Sequence, residues 1–226
     1  MKVFLVGQSG TFGTALKAKA VERKLEIQSI SRTVTDGSND IYCDLNDIHK
    51  IDDCLFTIDD KQEDAVVIIN SGVLGGVSLI ADADFHEVLQ AFNVNALSNI
   101  ALFQSLYRKG VKQFVVISSG AANKNYSGWF TYCLSKQMQK GFWEGICHDH
   151  DDVSAKLIAP GVLASSMHNF TDSINRSNYP ELDKFFEIKE KSDYQNENES
   201  AQKLFSLFES DDFFNKGCEF IDLRNV

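Results

Sequence analysis

The opening segment KVFLVGQSGTFGTAL limits the fold more than any other stretch of the chain. An apolar run ends at Gly7, glycines recur at Gly10 and Gly13, and a helix-forming stretch follows. Glycines at this spacing let the backbone turn tightly and bring main-chain N–H groups close to an anion at the helix N-terminus. The order strand, glycines, helix therefore predicts a βα unit. Its turn, Gly7, Ser9, Gly10, Thr11, Phe12 and Gly13, would hold a pyrophosphate. An ordinary strand-to-helix turn is the plainer reading of the same letters.

The rest of the chain keeps this alternation. Strands are predicted at 2–7, 25–30, 40–43, 65–70, 112–118, 153–159 and 218–223, and helices at 12–24, 46–57, 83–109, 128–147 and 199–209. Near-continuous apolar strands such as AVVIIN and FVVIS suit a parallel sheet buried on both faces. Right-handed crossovers then give an α/β, doubly wound sheet of about seven strands with helices on both faces. Ligands of such sheets sit beyond the C-terminal strand ends, where Gly7, Asn70, Ser119 and Pro160 fall. The segment from Ser31 to Asp40 is short, so the helix between the second and third strands should be reduced or missing.

Chemistry is written in YCLSK. Tyr132 and Lys136 stand four residues apart, which puts both on one face of a helix. A nearby ammonium favours the phenolate, so Lys136 is expected to lower the Tyr132 pKa from its usual value of about 10. A tyrosine tuned in this way exchanges a proton with an alcohol or carbonyl oxygen. Ser119, at the end of the preceding strand, can hold that same oxygen.

Glycine loop and Tyr–Lys pair together resemble the short-chain dehydrogenase/reductase family, whose fold is the Rossmann type, and the resemblance spans nearly the whole chain. The stretch Asn70, Ser71, Gly72 resembles the family's N-N-A-G, and Asp44 with Leu45 its short D-[VL] motif beside the adenine. FNVNAL resembles the stretch with the catalytic asparagine, which gives that role to Asn95, as a holder of a water that links Lys136 to solvent. IAPGVLASSM resembles the P-G segment that touches the nicotinamide, which implies cofactor contacts from Pro160, Gly161, Val162 and Ser165. Tyr132 and Lys136 would also touch the cofactor, Lys136 through the nicotinamide ribose. The glycine motif departs from the commoner T-G-x-x-x-G-x-G, with Val6 for threonine and Thr11 for the middle glycine. The order of motifs near the C-terminus is similar to the sepiapterin reductase and benzil reductase branch, which reduces vicinal dicarbonyls with NADPH. That branch places a pterin-binding carboxylate where Asp222 stands, although a strand-end aspartate is usually only solvated.

Cofactor choice is read at the end of the second strand. An acid there would bind the ribose of NAD. Here stand Ser31, Arg32 and Thr33, and a guanidinium flanked by two hydroxyls suits the 2'-phosphate of NADP(H). A solvated loop arginine is the alternative, and no basic residue stands inside the glycine loop to second it.

Composition closes several other classes. A chain of 226 residues, 43% apolar with 17 phenylalanines and two prolines, fits a single folded domain over 1–226, with a substrate loop at about 162–200. No apolar run approaches the roughly 20 residues that cross a bilayer, and the first residues read as a buried strand rather than a signal peptide. A net charge of -10 disfavours nucleic acid and anionic membranes as partners. Five cysteines without metal-type spacing suggest reduced thiols in a cytoplasmic protein, with Cys133 as packing. HDHDD, His148 to Asp152, reads as a solvated turn, and no metal site is expected.

The expected function is NADPH-dependent reduction of a small carbonyl compound. Two other classes stay open: a nonenzymatic NADP(H)-sensing regulator, and an NAD-dependent alcohol dehydrogenase. Tyr126, Trp129 and Phe130 before the tyrosine, and Phe170, Tyr179, Phe185 and Phe186 beyond the last motif, could line a pocket for a flat ketone. Trp129 is the substrate contact taken from this set. The same rings could instead pack the loop or join two subunits. Apolar residues of the two long helices, Phe92, Leu102, Phe103, Phe142 and Trp143, exceed one sheet-facing stripe and predict a homodimer or homotetramer.

Overall fold

A computed structural model describes residues 1–34, 38–172 and 174–226. Its strands are β1 (Lys2–Val6), β2 (Glu26–Ser31), β3 (Ile41–Tyr42), β4 (Ala65–Ile69), β5 (Gln113–Ile117), β6 (Ser154–Ala159) and β7 (Gly217–Asp222). Its α-helices are α1 (Thr11–Glu22), α2 (Ile51–Cys54), α3 (Phe85–Phe92), α4 (Ser98–Arg108), α5 (Phe130–Asp149), α6 (Asp183–Lys191) and α7 (Glu197–Leu207). The seven strands form one sheet in the order β3-β2-β1-β4-β5-β6-β7, and every pair is parallel. This is the doubly wound Rossmann-type arrangement that the alternation predicts, with its switch point between β1 and β4.

Period-two alternation builds the two layers. Along β1, Phe4 and Val6 face one core and Val3 and Leu5 the other, and all four are fully buried. The first core packs Phe4, Val67, Phe114 and Val116 against Leu102 and Leu106 of α4 and Trp143 of α5. The second packs Val66, Ile68 and Val115 against Leu16 of α1 and Leu204 and Phe205 of α7. A strand buried on both faces has no room for polar side chains, which is why AVVII of β4 is apolar throughout. Trp143 is the largest fully buried side chain, and its indole N–H donates to Asn99 Oδ1 at 3.1 Å. Truncating such a ring to alanine typically costs about 3–5 kcal/mol.

The structure corrects several expected bounds. Helix 46–57 shrinks to a 3-10 turn, Ile48–Lys50, and the single turn of α2, after which Phe56 is 82% exposed. Of that stretch Ile51 and Leu55 are buried in the core, with Ile48 and Cys54 partly buried against it, too few to hold a longer helix against the sheet. The helix expected over 83–109 is split by one π-helical turn, Asn93–Leu97. The strand expected at 40–43 is only two residues long, while between β2 and β3 the described residues hold no helix, in line with the short segment there. Asp40 explains the shortening. Its carboxylate is turned inward, accepting from Ser29 N at 3.0 Å and Gln8 Nε2 at 3.3 Å and pairing with Lys17 at 3.4 Å. Within the expected substrate loop, α6 is a helix that the sequence reading had not foreseen.

Leu102, Phe103 and Trp143 are buried in the chain's own core, so they are not spare surface for a subunit contact as the sequence suggested. Exposed apolar residues lie elsewhere, among them Leu79, Ile80, and Phe85 and Leu89 of α3. The HDHDD turn is packing and pairing: His150 packs at a tilt against Phe103 and Tyr107, and Asp152 pairs with Lys112 at 2.8 Å. Among the described residues no helix is long and apolar enough to cross a membrane.

Candidate active site

The C-terminal strand ends meet at a cavity of about 320 Å³. At one end lies the glycine turn. Gly7 has φ +85, open to glycine but strained for other residues, and a side chain there would press on Ser71. A Cβ at Gly13 would stand 2.3 Å from the Gly7 carbonyl oxygen, so only glycine lets α1 pack so near the turn. Gly10 is different: nothing lies within 4 Å of its Cβ position, and it caps α1 without a side-chain hydrogen bond. The helix thus presents uncapped N–H groups to the cavity, which Gly10, Thr11 and Phe12 line. Asn70, from the end of β4, donates its amide to Gly7 O at 2.7 Å and fixes the turn.

The middle of the cavity joins Asn70, Ser71 and Gly72 with Ser119, Tyr132, Lys136, Pro160, Gly161, Val162 and Ser165. Ser119 follows β5 in extended backbone and accepts from Ala121 N at 3.2 Å. Tyr132 and Lys136 sit on the first turns of α5, 8% and 3% exposed. The Lys136 ammonium donates to Ile117 O at 2.9 Å and to Gln139 Oε1 at 3.3 Å, and lies 6.0 Å from the Tyr132 ring centre. Burial dominates both groups. It pushes the Tyr132 phenol up to about 12, with the neighbouring Ser119 hydroxyl acting the other way. It pulls the Lys136 ammonium down to about 8. The expected lowering of Tyr132 by Lys136 is therefore not what this geometry produces: desolvation outweighs a cation committed to other acceptors. Gln139, three residues beyond Lys136 on the same helix face, was missed although its spacing gives it away.

Asn95 occupies the π-turn and is fully buried. Its carboxamide bonds both polar groups of Val73, accepting from the N–H at 2.8 Å and donating to the carbonyl at 2.8 Å, and also donates to Ser135 Oγ at 2.9 Å. It thereby clamps the loop after β4 to α5.

The residues at the end of β2 stand apart from this cavity. Ser31 Oγ is engaged with Thr33, donating to its carbonyl and accepting from its N–H. Arg32 is exposed and has no hydrogen-bond or ion-pair partner among the described residues. Asp44 accepts from Asn46 N at 3.0 Å, and Leu45 is buried in the core. Ser9 is exposed at the turn.

Aromatic side chains close the other end. Trp129 lies edge-on to Tyr132 with centroids 5.7 Å apart, 4.3 Å from Phe185 and 5.6 Å from Tyr126. Phe186 is buried beside them, and Tyr179 packs on Gly128. The side chain of Phe170 lies outside the described residues. Asp222 does not line the cavity: Arg224 holds its carboxylate in a forked ion pair, depresses its pKa, and itself lines the cavity. Lys124 and Lys184 also border this end, and no sequence signal beyond charge marked them.

The short chain dehydrogenase family model matches residues 2–175. The chain belongs to that family. A benzil reductase ((S)-benzoin forming) of Bacillus subtilis (strain 168) is 25% identical over 228 residues, 92% of this chain and 94% of its own. A sepiapterin reductase of Xenopus laevis is 31% identical over 156 residues, 65% of this chain and 58% of its own. Among solved structures, the short chain dehydrogenases/reductase YIR035C of Saccharomyces cerevisiae superposes with TM-score 0.80 at 17% identity, over 98% of this chain and 95% of that one. The benzil and sepiapterin reductases are the branch that the C-terminal motifs resemble. The chain is thus an oxidoreductase of this family, whose members use nicotinamide cofactors.

Proposed function

We propose that the chain reduces small carbonyl compounds, vicinal dicarbonyls foremost, with NADPH. The observation that carries this reading is one cavity bordered both by the uncapped glycine turn and by a buried phenol next to a serine hydroxyl. The names of the benzil and sepiapterin reductase relatives agree with it. The residues fit a dinucleotide. The Gly10 cradle is open, Ser71 Oγ and Ser118 Oγ are buried without hydrogen-bond partners among the described residues, and Arg32 is unpaired. Gly7 to Gly13 would hold the pyrophosphate, Ser31 to Thr33 the 2'-phosphate, Asp44 and Leu45 the adenine, and Pro160 to Ser165 the nicotinamide.

When bound, the dinucleotide supplies hydride to the carbonyl carbon. Tyr132 gives its phenolic proton to the carbonyl oxygen, which completes the alcohol. Ser119 hydrogen-bonds that oxygen and keeps it in reach of the phenol. Lys136, whose ammonium lies 6.0 Å from the Tyr132 ring centre, would bond the nicotinamide ribose and so place the cofactor against the phenol. Asn95 holds the Val73 loop against α5 and so keeps Lys136 and Gly72 in register. Trp129 and its ring neighbours pack the organic part of the substrate and exclude water.

We propose further that the protein works in the cytoplasm as a homodimer or homotetramer, over a single domain whose 162–200 segment covers the substrate. The free thiols and the exposed Phe85 and Leu89 support this. The test is NADPH consumption with benzil and other diketones. Tyr132→Phe should lower the rate roughly 10²–10⁴-fold and leave NADPH binding nearly intact. Wild-type rates in that variant would overturn the acid assignment. NADPH binding without turnover of any carbonyl would favour a sensing protein.

A further inference from the structure

The cavity has a sign. The chain carries 32 acidic and 22 basic residues, yet none of the described residues lining the cavity is an aspartate or glutamate. Four cations line it: Lys124, Lys136, Lys184 and Arg224. Two of these are accounted for. Lys136 serves the proton donor, and Arg224 is neutralised by Asp222. Lys124 and Lys184 have no carboxylate partner among the described residues. Both flank the ring of Tyr126, with ammonium-to-centroid distances of 4.9 and 4.4 Å. Lys184 also donates to the Tyr126 hydroxyl at 2.7 Å and lies 4.6 Å from the Phe185 ring centre. The acid Glu181 accepts from the backbone N–H of Ser127 at 2.8 Å and does not line the cavity.

These ammoniums stand at the aromatic end, where Trp129 packs on Tyr132 and Phe185. The dinucleotide has its own anion cradle at the opposite end, in the glycine turn and Arg32. Lys124 and Lys184 are exposed at this end and carry no carboxylate partner among the described residues. Two ammoniums around one ring attract an anion placed between them more than either does alone, in a chain whose net charge of -10 otherwise repels it. On the reductase reading above, we infer that the substrate is an aryl ketone or diketone that carries a carboxylate. Its ring packs against Trp129 and Phe185, its carbonyl meets Tyr132 and Ser119, and its carboxylate rests between Lys124 and Lys184. Aromatic faces hold the planar body while the cations set its direction, so the carbonyl is presented to the phenol in one orientation.

The test compares benzil with para-carboxybenzil in steady-state reduction by NADPH. At low salt kcat/KM should favour the carboxylate by about tenfold, the upper scale of two exposed charge contacts. Added salt should erode the preference. A Lys124→Met, Lys184→Met double variant should abolish it, and Lys184→Glu should reverse it. Equal kcat/KM for the two diketones would overturn the inference. A second arm needs no turnover: equilibrium dialysis of para-phenylbenzoate against para-phenylbenzamide on the wild type and the double variant. Tighter binding of the acid, lost in the variant, supports the anion site even if no carbonyl is reduced, in which case the reductase reading alone fails. Equal binding of acid and amide alongside normal benzil reduction sinks the anion site and leaves the reductase reading standing.

Discussion

Replacing Lys136 with methionine should make the protein more stable at neutral pH while impairing its chemistry. Lys136 is 3% exposed, and burial lowers its pKa from 10.5 to about 8. Each pKa unit corresponds to about 1.36 kcal/mol, so the folded state bears about 3 kcal/mol for keeping this side chain charged at pH 7. Methionine has a similar stem and no charge. It also removes the donor to Ile117 O and Gln139 Oε1, at about 1 kcal/mol for each of the two acceptors left behind. A net gain of about 1 kcal/mol is expected, or a Tm rise of about 2–4 °C for a chain of this size. The pH dependence has a definite sign. Below about pH 8 the lysine is protonated in both folded and unfolded states, and the full cost stands. Between about pH 8 and 10.5 the folded state sheds the proton while the unfolded chain keeps it. Wild-type stability from this group therefore rises with pH, and the variant's advantage shrinks. Urea unfolding of both proteins without cofactor, across pH 7 to 10, measures the difference, in which other titrating groups cancel. A variant less stable than wild type at pH 7, or an advantage that does not change with pH, would refute the reasoning. The accompanying loss of reduction would make Lys136 a residue kept for function at the expense of stability.

The same geometry sets an alkaline limb. Carbonyl-reduction kcat/KM should fall above about pH 8 as Lys136 loses its proton, not near pH 10, because Tyr132 stays protonated up to about 12; a profile flat to pH 10 would exclude this. Arg32→Ala should weaken NADPH binding by about 1.5–3 kcal/mol and change NADH little, and equal wild-type affinities by fluorescence titration would end the 2'-phosphate assignment. Light scattering should give a dimer or tetramer, and Phe85→Glu with Leu89→Glu should shift it toward the monomer mass near 25.3 kDa if α3 carries the contact.

The sheet, its order and the cavity's place were legible because each rests on local pattern. A strand buried on both faces must be apolar, a tight anion turn must have glycine, and side chains four apart share a helix face. What stayed hidden depends on residues distant in sequence. The Tyr132 pKa is set by burial under Trp129 and its neighbours, which no spacing rule reports. Helix α6 is hidden in the sequence because DKFFEIKEK is mostly charged; its buried residues are Phe185 and Phe186, and Phe185 packs on Trp129 and Tyr126. The helix at 46–57 was overread because apolar residues recur there without enough contacts to bind a long face. Arg224 at the cavity came from the last residues of the chain, where the sequence drew attention to Asp222 instead.

The π-turn at Asn95 ties what folds this protein to what equips it. Such a turn holds one residue more than an α-helix of the same span. Every residue after it is therefore shifted by one step, about 100°, relative to Val88 and Ala91 before it. Leu102 and Leu106 of α4, which pack in the core, lie after the turn. Asn95 within it reaches the Val73 peptide. One inserted residue thus sets both the rotation of a core helix and the seat of the carboxamide, so a deletion within Asn93–Leu97 would disturb the packing and the clamp together.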